Sequence, residues 1–349
     1  MAGLGILKRI DGYGRKELDE IVIFGVCLLT VYARFFSLFC KVSGKATVLL
    51  TVLNIILIGV FRKDILQMIS TWKTNAAVKY VILVTILLTI AYLNYACAPI
   101  KYYDTDLYHA QSIRWIEQFG IVPGLGNLHS RFAYNNSVFC LQALFSLRFL
   151  LGYSLHSING FLGLAFMIYA LCSLKALRTH KFHVSDFFRV GLIFYIVSQM
   201  DYLSSPGSDC FTICMIFYIL IKWIALLEKG ITQPTAYIPL CLMSVFAVSI
   251  KLTSTMLVML ALIPAFRLIR KRRWKEIAIY IGFGLVLIIP FLIRNVIISG
   301  YLIYPFPKLD VFCFDWKIPQ FTALLEKNEI KAWGMGLNDY AKCNVPFRE

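Results

Sequence analysis

Two aspartates two residues apart, Asp104 and Asp106, stand at the head of a polar stretch that also carries Tyr108, His109, Asn127, His129 and Arg131. A carboxylate in such a setting can take the proton of a hydroxyl as a general base, or ligate a divalent cation. Read locally, Asp104 is equally well a helix cap, and the Asp-x-Asp spacing alone is weak. It gains weight from the loop that follows. There Pro123, Gly124 and Gly126 let backbone N–H groups approach an anion, and Arg131 can clamp a phosphate. A lone His109 or His129 is more often structural than catalytic. Further on, Asp209 ends the turn Ser204-Ser205-Pro206-Gly207-Ser208, either as a helix cap or as a second carboxylate facing the first loop. Lys251 lies in a short turn and needs an anionic partner, Asp209 or a lipid phosphate, and Arg294 closes the last apolar run. Carboxylates and cations gathered at one membrane boundary suit a site that handles a lipid phosphate and activates a hydroxyl.

The elements that must position these residues follow from composition. The chain has 349 residues, 59% of them hydrophobic and 15% charged, against about 45–50% and about 25% in ordinary globular domains. The apolar residues come in runs long enough to cross about 30 Å of hydrocarbon. A soluble enzyme, a nucleic-acid binder and a disordered tail are excluded on these grounds. We expect an all-α polytopic membrane protein with nine spans, at 21–40, 46–61, 79–97, 157–174, 188–203, 210–227, 235–250, 254–269 and 277–293. The net charge of +16 then reads as sidedness, because Lys and Arg collect on cytoplasmic loops. With the N-terminus inside, the cytoplasmic segments hold Lys8, Arg9, Arg15 and Lys16, then Arg62, Lys63, Lys73 and Lys79. Lys175, Arg178, Lys181, Arg189, Lys222, Lys229 and the cluster from Arg267 to Lys275 complete that side. The acidic residues Asp104, Asp106, Glu117, Asp209, Asp310 and Asp315 map to the outer face. The N-terminus lacks a small-residue cleavage pattern, so the first span is expected to remain as an anchor.

This topology divides the chain into N-terminal transmembrane helices (1–97), an extracytoplasmic loop with interfacial helices (98–156), a transmembrane bundle (157–298) and an extracytoplasmic C-terminal segment (299–349). From Asp104 to Gly120 the loop has helical period. Tyr108, His109, Ser112, Ile113, Trp115, Ile116 and Phe119 share one arc, with Gln111, Arg114, Glu117 and Gln118 opposite. Such a helix is expected to lie along a membrane surface. Residues 137–152 are apolar but short and interrupted by Arg148. Counting them as a span would invert the later basic loops, so they are expected to form a re-entrant or surface-lying helix on the outer face. Most cysteines, including Cys172 and the one-turn pair Cys210 and Cys214, lie in or beside apolar runs and read as packing. Cys313 and Cys343 both fall in the outer C-terminal segment, where a disulfide between them is open.

These residues resemble the GT-C superfamily of integral-membrane glycosyltransferases, which keep an acidic motif in the first large extracytoplasmic loop. More closely, Asp104-Thr105-Asp106-Leu107-Tyr108-His109-Ala110-Gln111 with Ile113-Arg114-Trp115-Ile116 looks like a family of uncharacterised bacterial inner-membrane proteins with a D-T-x-L-Y-H motif. The likeness continues through residues 122–129 and Arg131, Ser205-Pro206 with Asp209, residues 250–253, Arg294-Asn295 and Asp315-Trp316-Lys317. It covers most of the chain after residue 98. The resemblance implies a polyprenyl-phosphate-linked sugar as donor, a glycan or lipid as acceptor, and Asp104 as base with Asp106 second. It assigns substrate contacts to Tyr108, His109, Asn127, His129, Arg131, Asp209, Lys251 and Arg294, and places the protein in surface-glycan assembly. A divalent cation, Mg or Mn, is left open, with Asp104, Asp106 and Asp209 as its ligands if there is one. Similar proteins continue with further spans, which implies a truncated member. Three rival readings stand beside this one. They are a polymerase or ligase using a diphosphate-linked donor and relying on Arg131 and His129, a transporter, and a non-catalytic membrane scaffold.

Overall fold

The computed structural model describes residues 3, 5–7, 17–73, 78–171 and 180–337. Among these residues all regular structure is helical, with no strand. In chain order the helices are α1 (Leu18–Ser37), α2 (Gly44–Val60), α3 (Arg62–Lys73), α4 (Val78–Ala96), α5 (Ala110–Phe119), α6 (Ser137–Phe145) and α7 (Arg148–Leu151). They continue with α8 (Ile158–Ala170), α9 (Val184–Ser198), α10 (Asp209–Glu228), α11 (Ile238–Val248), α12 (Leu262–Arg270), α13 (Trp274–Ser299) and α14 (Gln320–Gly334).

Each of the nine apolar segments falls on helix, and length divides them. Among the described residues, Leu18–Ser37, Asp209–Glu228, Leu252–Arg270 and Trp274–Ser299 are long and apolar enough to cross a membrane. Gly44–Val60 and Arg62–Ser70 make a fifth candidate if the pair, bent by 70°, is one span. Of the rest, Ile158–Ala170, Val184–Ser198 and Pro234–Val248 are shorter helices, while Val78–Ala96 has 19 residues. Val184–Ser198 starts after a His183–Asp186 capping box, and the 235–250 run begins with the turn Pro234–Tyr237. The end of the 157–174 run lies outside the described residues, with Cys172, Lys175 and Arg178. So do Lys8, Arg9, Arg15, Lys16 and Cys343, and with Cys343 the disulfide expectation.

The apolar surface points outward as well as inward. In α2 only Ala46 is buried, while Val48, Ile55 and Val60 are mostly exposed. A helix apolar on every side, and uncovered by protein, is suited to hydrocarbon rather than water. The main core is built instead where α1, α8, α10, α11 and α13 meet, around Phe24, Phe166, Tyr218 and Phe246.

Hydrogen bonds and ion pairs sort the helix ends into two groups. At one end Thr105 bonds Ser205, Ser137 N donates to Ser249 O, and Arg294 reaches Gly120 O. At the other, Ser185 bonds Glu228 and Arg267 bonds Thr232 O. Lys222 belongs to that second end, but not as a loop charge. It lies inside α10 with its side chain 7% exposed, and its Nζ sits 2.5 Å from Glu17, 2.7 Å from Asp19 and 3.5 Å from Glu20. Its charge is spent tying the end of α10 to the start of α1, so the positive-inside count overstates it.

Two expectations about the polar loop are corrected. Of the two forms expected for 137–152, α6 does not take the surface-lying one, and the re-entrant one stands. Eight of its nine residues, from Ser137 to Leu144, are buried, and nine residues of helix reach only about 14 Å, too short to cross. The 104–120 helix is likewise packed inside, against α1 and α6 through Ile113, Ile116, Phe139 and Ala143. Its faces are partly reversed: Glu117 is buried and Phe119 is 55% exposed. Gly120 closes it at φ +80°, where a Cβ would stand 2.5 Å from Cys40 O and 2.7 Å from Ser37 O. Gly120→Ala is therefore expected to cost about 1–3 kcal/mol from backbone conformation alone. The check is the thermal midpoint of the purified protein, which an unstrained position would leave unchanged.

Candidate functional site

A π-helical turn, Thr105–His109, connects residue 104 to α5. Such bulges are rare and cluster at functional sites. Asp104 heads the turn but makes no capping bond. Its Oδ1 accepts instead from Arg131 Nη1 at 3.2 Å, with the two side chains 29% and 18% exposed. Arg131 also lies 3.9 Å from Glu329 Oε2, and its guanidinium sits 5.0 Å above Trp333 and 5.9 Å from Tyr108.

The loop that presents Arg131 is held by the other residues named in it. His129 caps the turn Ser130–Ala133, its Nδ1 accepting from Arg131 N at 3.2 Å. Asn127 Nδ2 donates to Gly124 O at 3.2 Å and to Trp316 O at 2.6 Å. Gly124 adopts φ +65° against Trp316, which a side chain there would strike. Asn127 and His129 thus act here as fasteners of the loop.

The turn before α10 is drawn to the same place. Thr105 and Ser205 share a 2.7 Å hydrogen bond, Asn136 bonds Ser208, and Asn159 Nδ2 donates to Ser205 O and Gly207 O, both at 2.6 Å. Asp209 then pairs with Lys251 at 2.7 Å, both about half exposed. Burial pushes the Tyr102 phenol up to about 12, reinforced by the negative charges of Asp209 and Asp104 beside it. Tyr108 is raised by burial and by the same two carboxylates, with Arg131 opposing them. The charges of Asp104 and Asp209 thus both act on one pair of tyrosines, with Arg131 beside Tyr108.

His109 lies below them, walled by Tyr108, Tyr102 and Phe139 at ring distances of 4.3, 5.9 and 5.3 Å. Burial pushes its imidazole down to about 4, so near neutrality it is an uncharged aromatic wall. Asp106, on the same π turn, is exposed.

Arg294 does not end its helix. α13 runs on to Ser299, and Arg294 is 3% exposed within it. Its Nε donates to Asn135 Oδ1 at 3.1 Å, and its Nη1 to Ser37 Oγ and to Gly120 O at 3.3 Å. It lines a small cavity of about 20 Å³ with Ser112, Trp115 and Asn135. Asp104, Asp209 and Lys251 line neither this cavity nor the larger cleft beside Arg148.

The donor set does not fit a metal. Asp104 and Asp209 are each satisfied by a cation, and among the described residues no three His, Cys, Asp or Glu side chains gather as ligands.

Three contributors are invisible in the local pattern: Tyr102, and Glu329 and Trp333 of α14. Glu326, on the same helix, accepts from Ser130 and Tyr134 and fastens α14 over the loop. Glu326, Glu329 and Trp333 lie some two hundred positions from Arg131, and no spacing connects them.

A family model described as a domain of unknown function (DUF8201) matches residues 1–347, and the chain belongs to that family. No curated protein and no solved structure matches it.

Proposed function

We propose that this DUF8201 member is an integral-membrane glycosyltransferase. It moves a sugar from a polyprenyl-phosphate donor to a glycan or lipid acceptor, on the outer face of a bacterial cytoplasmic membrane. The observation that carries this reading is two carboxylate–cation pairs, Asp104–Arg131 and Asp209–Lys251, whose carboxylates both act on Tyr102 and Tyr108. In the proposed topology the N-terminus is cytoplasmic, nine segments cross the membrane and these pairs face outward.

The chemistry balances with the chain's own groups. Asp104 accepts the acceptor's hydroxyl proton as that oxygen bonds to the sugar's anomeric carbon. The bond from that carbon to the phosphate oxygen breaks, and its electron pair leaves with the polyprenyl phosphate. Direct attack inverts the anomeric centre. Arg131 and Lys251 stand where charge builds on the departing phosphate, and such electrostatic stabilisation commonly supplies the largest share of catalysis. The phosphate would draw Arg131 from Asp104, freeing the carboxylate for the proton.

The test offers membranes containing the protein a polyprenyl-phosphate-linked sugar and, separately, a diphosphate-linked oligosaccharide. Consumption of the first above an empty-vector control is expected. Consumption of only the second would establish the polymerase or ligase reading, and consumption of neither would remove the transferase assignment.

A further inference from the structure

A second basic site lies at the far end of α5, away from the paired carboxylates. Lys41, Arg114 and Arg148 line a cleft of about 540 Å³ together with Glu117, Phe119 and Phe149. Glu117 forms its floor. Its carboxylate is buried and accepts from Ser154 Oγ at 2.8 and 2.9 Å. Arg114 Nη1 and Arg148 Nε stand only at the margin of ion pairing with it, at 3.8 and 4.0 Å. Among the described residues neither guanidinium donates a hydrogen bond, and Lys41 has no ion pair. Three cations therefore face one carboxylate, and up to five N–H donors on each guanidinium are left for another acceptor.

The backbone around Arg148 is set for this position. Leu147 holds φ +51° and Gly152 φ +81°, bracketing the four residues of α7. A left-handed leucine is a strained conformation, of the kind that persists where the surrounding structure demands it. Here it turns the chain so that Arg148 joins Glu117 and Phe149 packs over Gly44.

The surroundings specify a lipid. Lys41 follows α1, one of the helices long and apolar enough to cross a membrane, by four positions, which places the cleft at headgroup depth. Phe119 and Phe149 in its wall are 55% and 50% exposed, and Phe39 just before Lys41 and Leu150 and Tyr153 just after Phe149 are 72%, 72% and 61% exposed. A polar cleft with an apolar fringe matches a phosphate with its acyl chains running outward, whereas a free anion has no use for the fringe.

We propose that Lys41, Arg114 and Arg148 bind the phosphodiester headgroup of an anionic membrane phospholipid in this cleft. Asp104 and Glu117 are separated by the π turn and most of α5, about 20 Å at helical rise. A phosphate held here is out of reach of Asp104, so the lipid is a fixed companion of the fold and not the sugar donor. Bound, it bridges α5, α7 and the segment after α1, which contribute the three cations.

The test uses the full chain in detergent, with dioctanoyl phosphatidylglycerol, dioctanoyl phosphatidylcholine and inorganic phosphate as probes, read by native mass spectrometry. Each cation near a lipid surface contributes about fivefold in affinity. Phosphatidylglycerol is expected to bind at least tenfold more tightly than phosphatidylcholine. R114Q/R148Q is expected to lose roughly 25-fold, and K41Q, at an exposed side chain that leaves folding untouched, about fivefold. Equal binding of the two lipids, or unchanged binding in K41Q, overturns the proposal. Inorganic phosphate displacing the lipid at equal concentration overturns the assignment to a lipid. No sugar donor is present, so the outcome is independent of the transferase reading.

Discussion

Asp104→Asn is expected to lower sugar transfer by roughly 10²–10⁴-fold, the usual contribution of a positioned general base, with the amount of folded protein unchanged. The second half of that statement follows from exposure. Asp104 and Arg131 form a single 3.2 Å contact with both side chains partly open to solvent, and such pairs contribute about 1 kcal/mol or less to stability. Arg131 also keeps Trp333 and Glu329 as neighbours when the carboxylate is gone. A large loss of rate with a small change in stability is therefore the signature of chemistry at this carboxylate. Asp106→Asn is expected to lose less, because Asp106 is exposed and the guanidinium is held by Asp104. Transfer from a lipid-linked donor, normalised to protein level, gives the rate. The thermal midpoint gives the stability. A surface-glycan profile unaltered by Asp104→Asn at normal protein level would remove Asp104 from the mechanism.

What could be read from sequence depended on whether the determining contact was local. The apolar runs did mark helices, because a run of that composition has no other stable way to satisfy its backbone in hydrocarbon. Their ends were less legible: the helix expected from 188 starts at Val184, after the His183 capping box, and stops at Ser198, five residues short of 203. Burial of single polar residues was not legible at all. Glu117 was placed on a solvent face by its position on the wheel, yet Ser154 comes from beyond α7 to bind it. Lys222 counts as a loop charge by its position, yet Glu17, Asp19 and Glu20 reach it from near the start of the chain. For Lys251 the sequence leaves two partners open, Asp209 or a lipid phosphate, and the structure pairs it with Asp209. The arrival of Glu329 and Trp333 at Arg131 was not legible, because α14 carries no feature that points there.

Arg294 separates structure from catalysis most sharply. As a phosphate clamp it would sit at the boundary, and its loss would slow transfer in a well-folded protein. Its surroundings lead to the opposite expectation: Arg294→Met destabilises the protein by about 3 kcal/mol, and transfer falls only as folded protein is lost. The guanidinium is the donor for three buried acceptors contributed by three segments, Asn135 Oδ1, Ser37 Oγ and Gly120 O. Methionine fills the space of the stem but donates nothing, and each buried acceptor left unpaired costs about 1–3 kcal/mol. The total falls short of three full penalties. Ser37 retains its own bond to Arg34 O, and the contact to Gly120 O is long at 3.3 Å. Relief of a buried charge offsets part of the remainder. The neighbourhood tightens the argument, since Arg34 is also fully buried, bonded to Ser137 Oγ and to Leu287 O near Pro290 of α13. Asn135 Nδ2 takes Phe291 O from the same stretch, where the proline removes one N–H from the helix ladder. Removing Arg294 therefore loosens the join of α1, α13 and the loop before α6 together. Arg294→Lys is expected to rescue little, because one ammonium cannot reproduce a planar fork aimed at three separate acceptors. Thermal midpoints of the three proteins decide it, and a normal midpoint with lost transfer would return Arg294 to the substrate's phosphate.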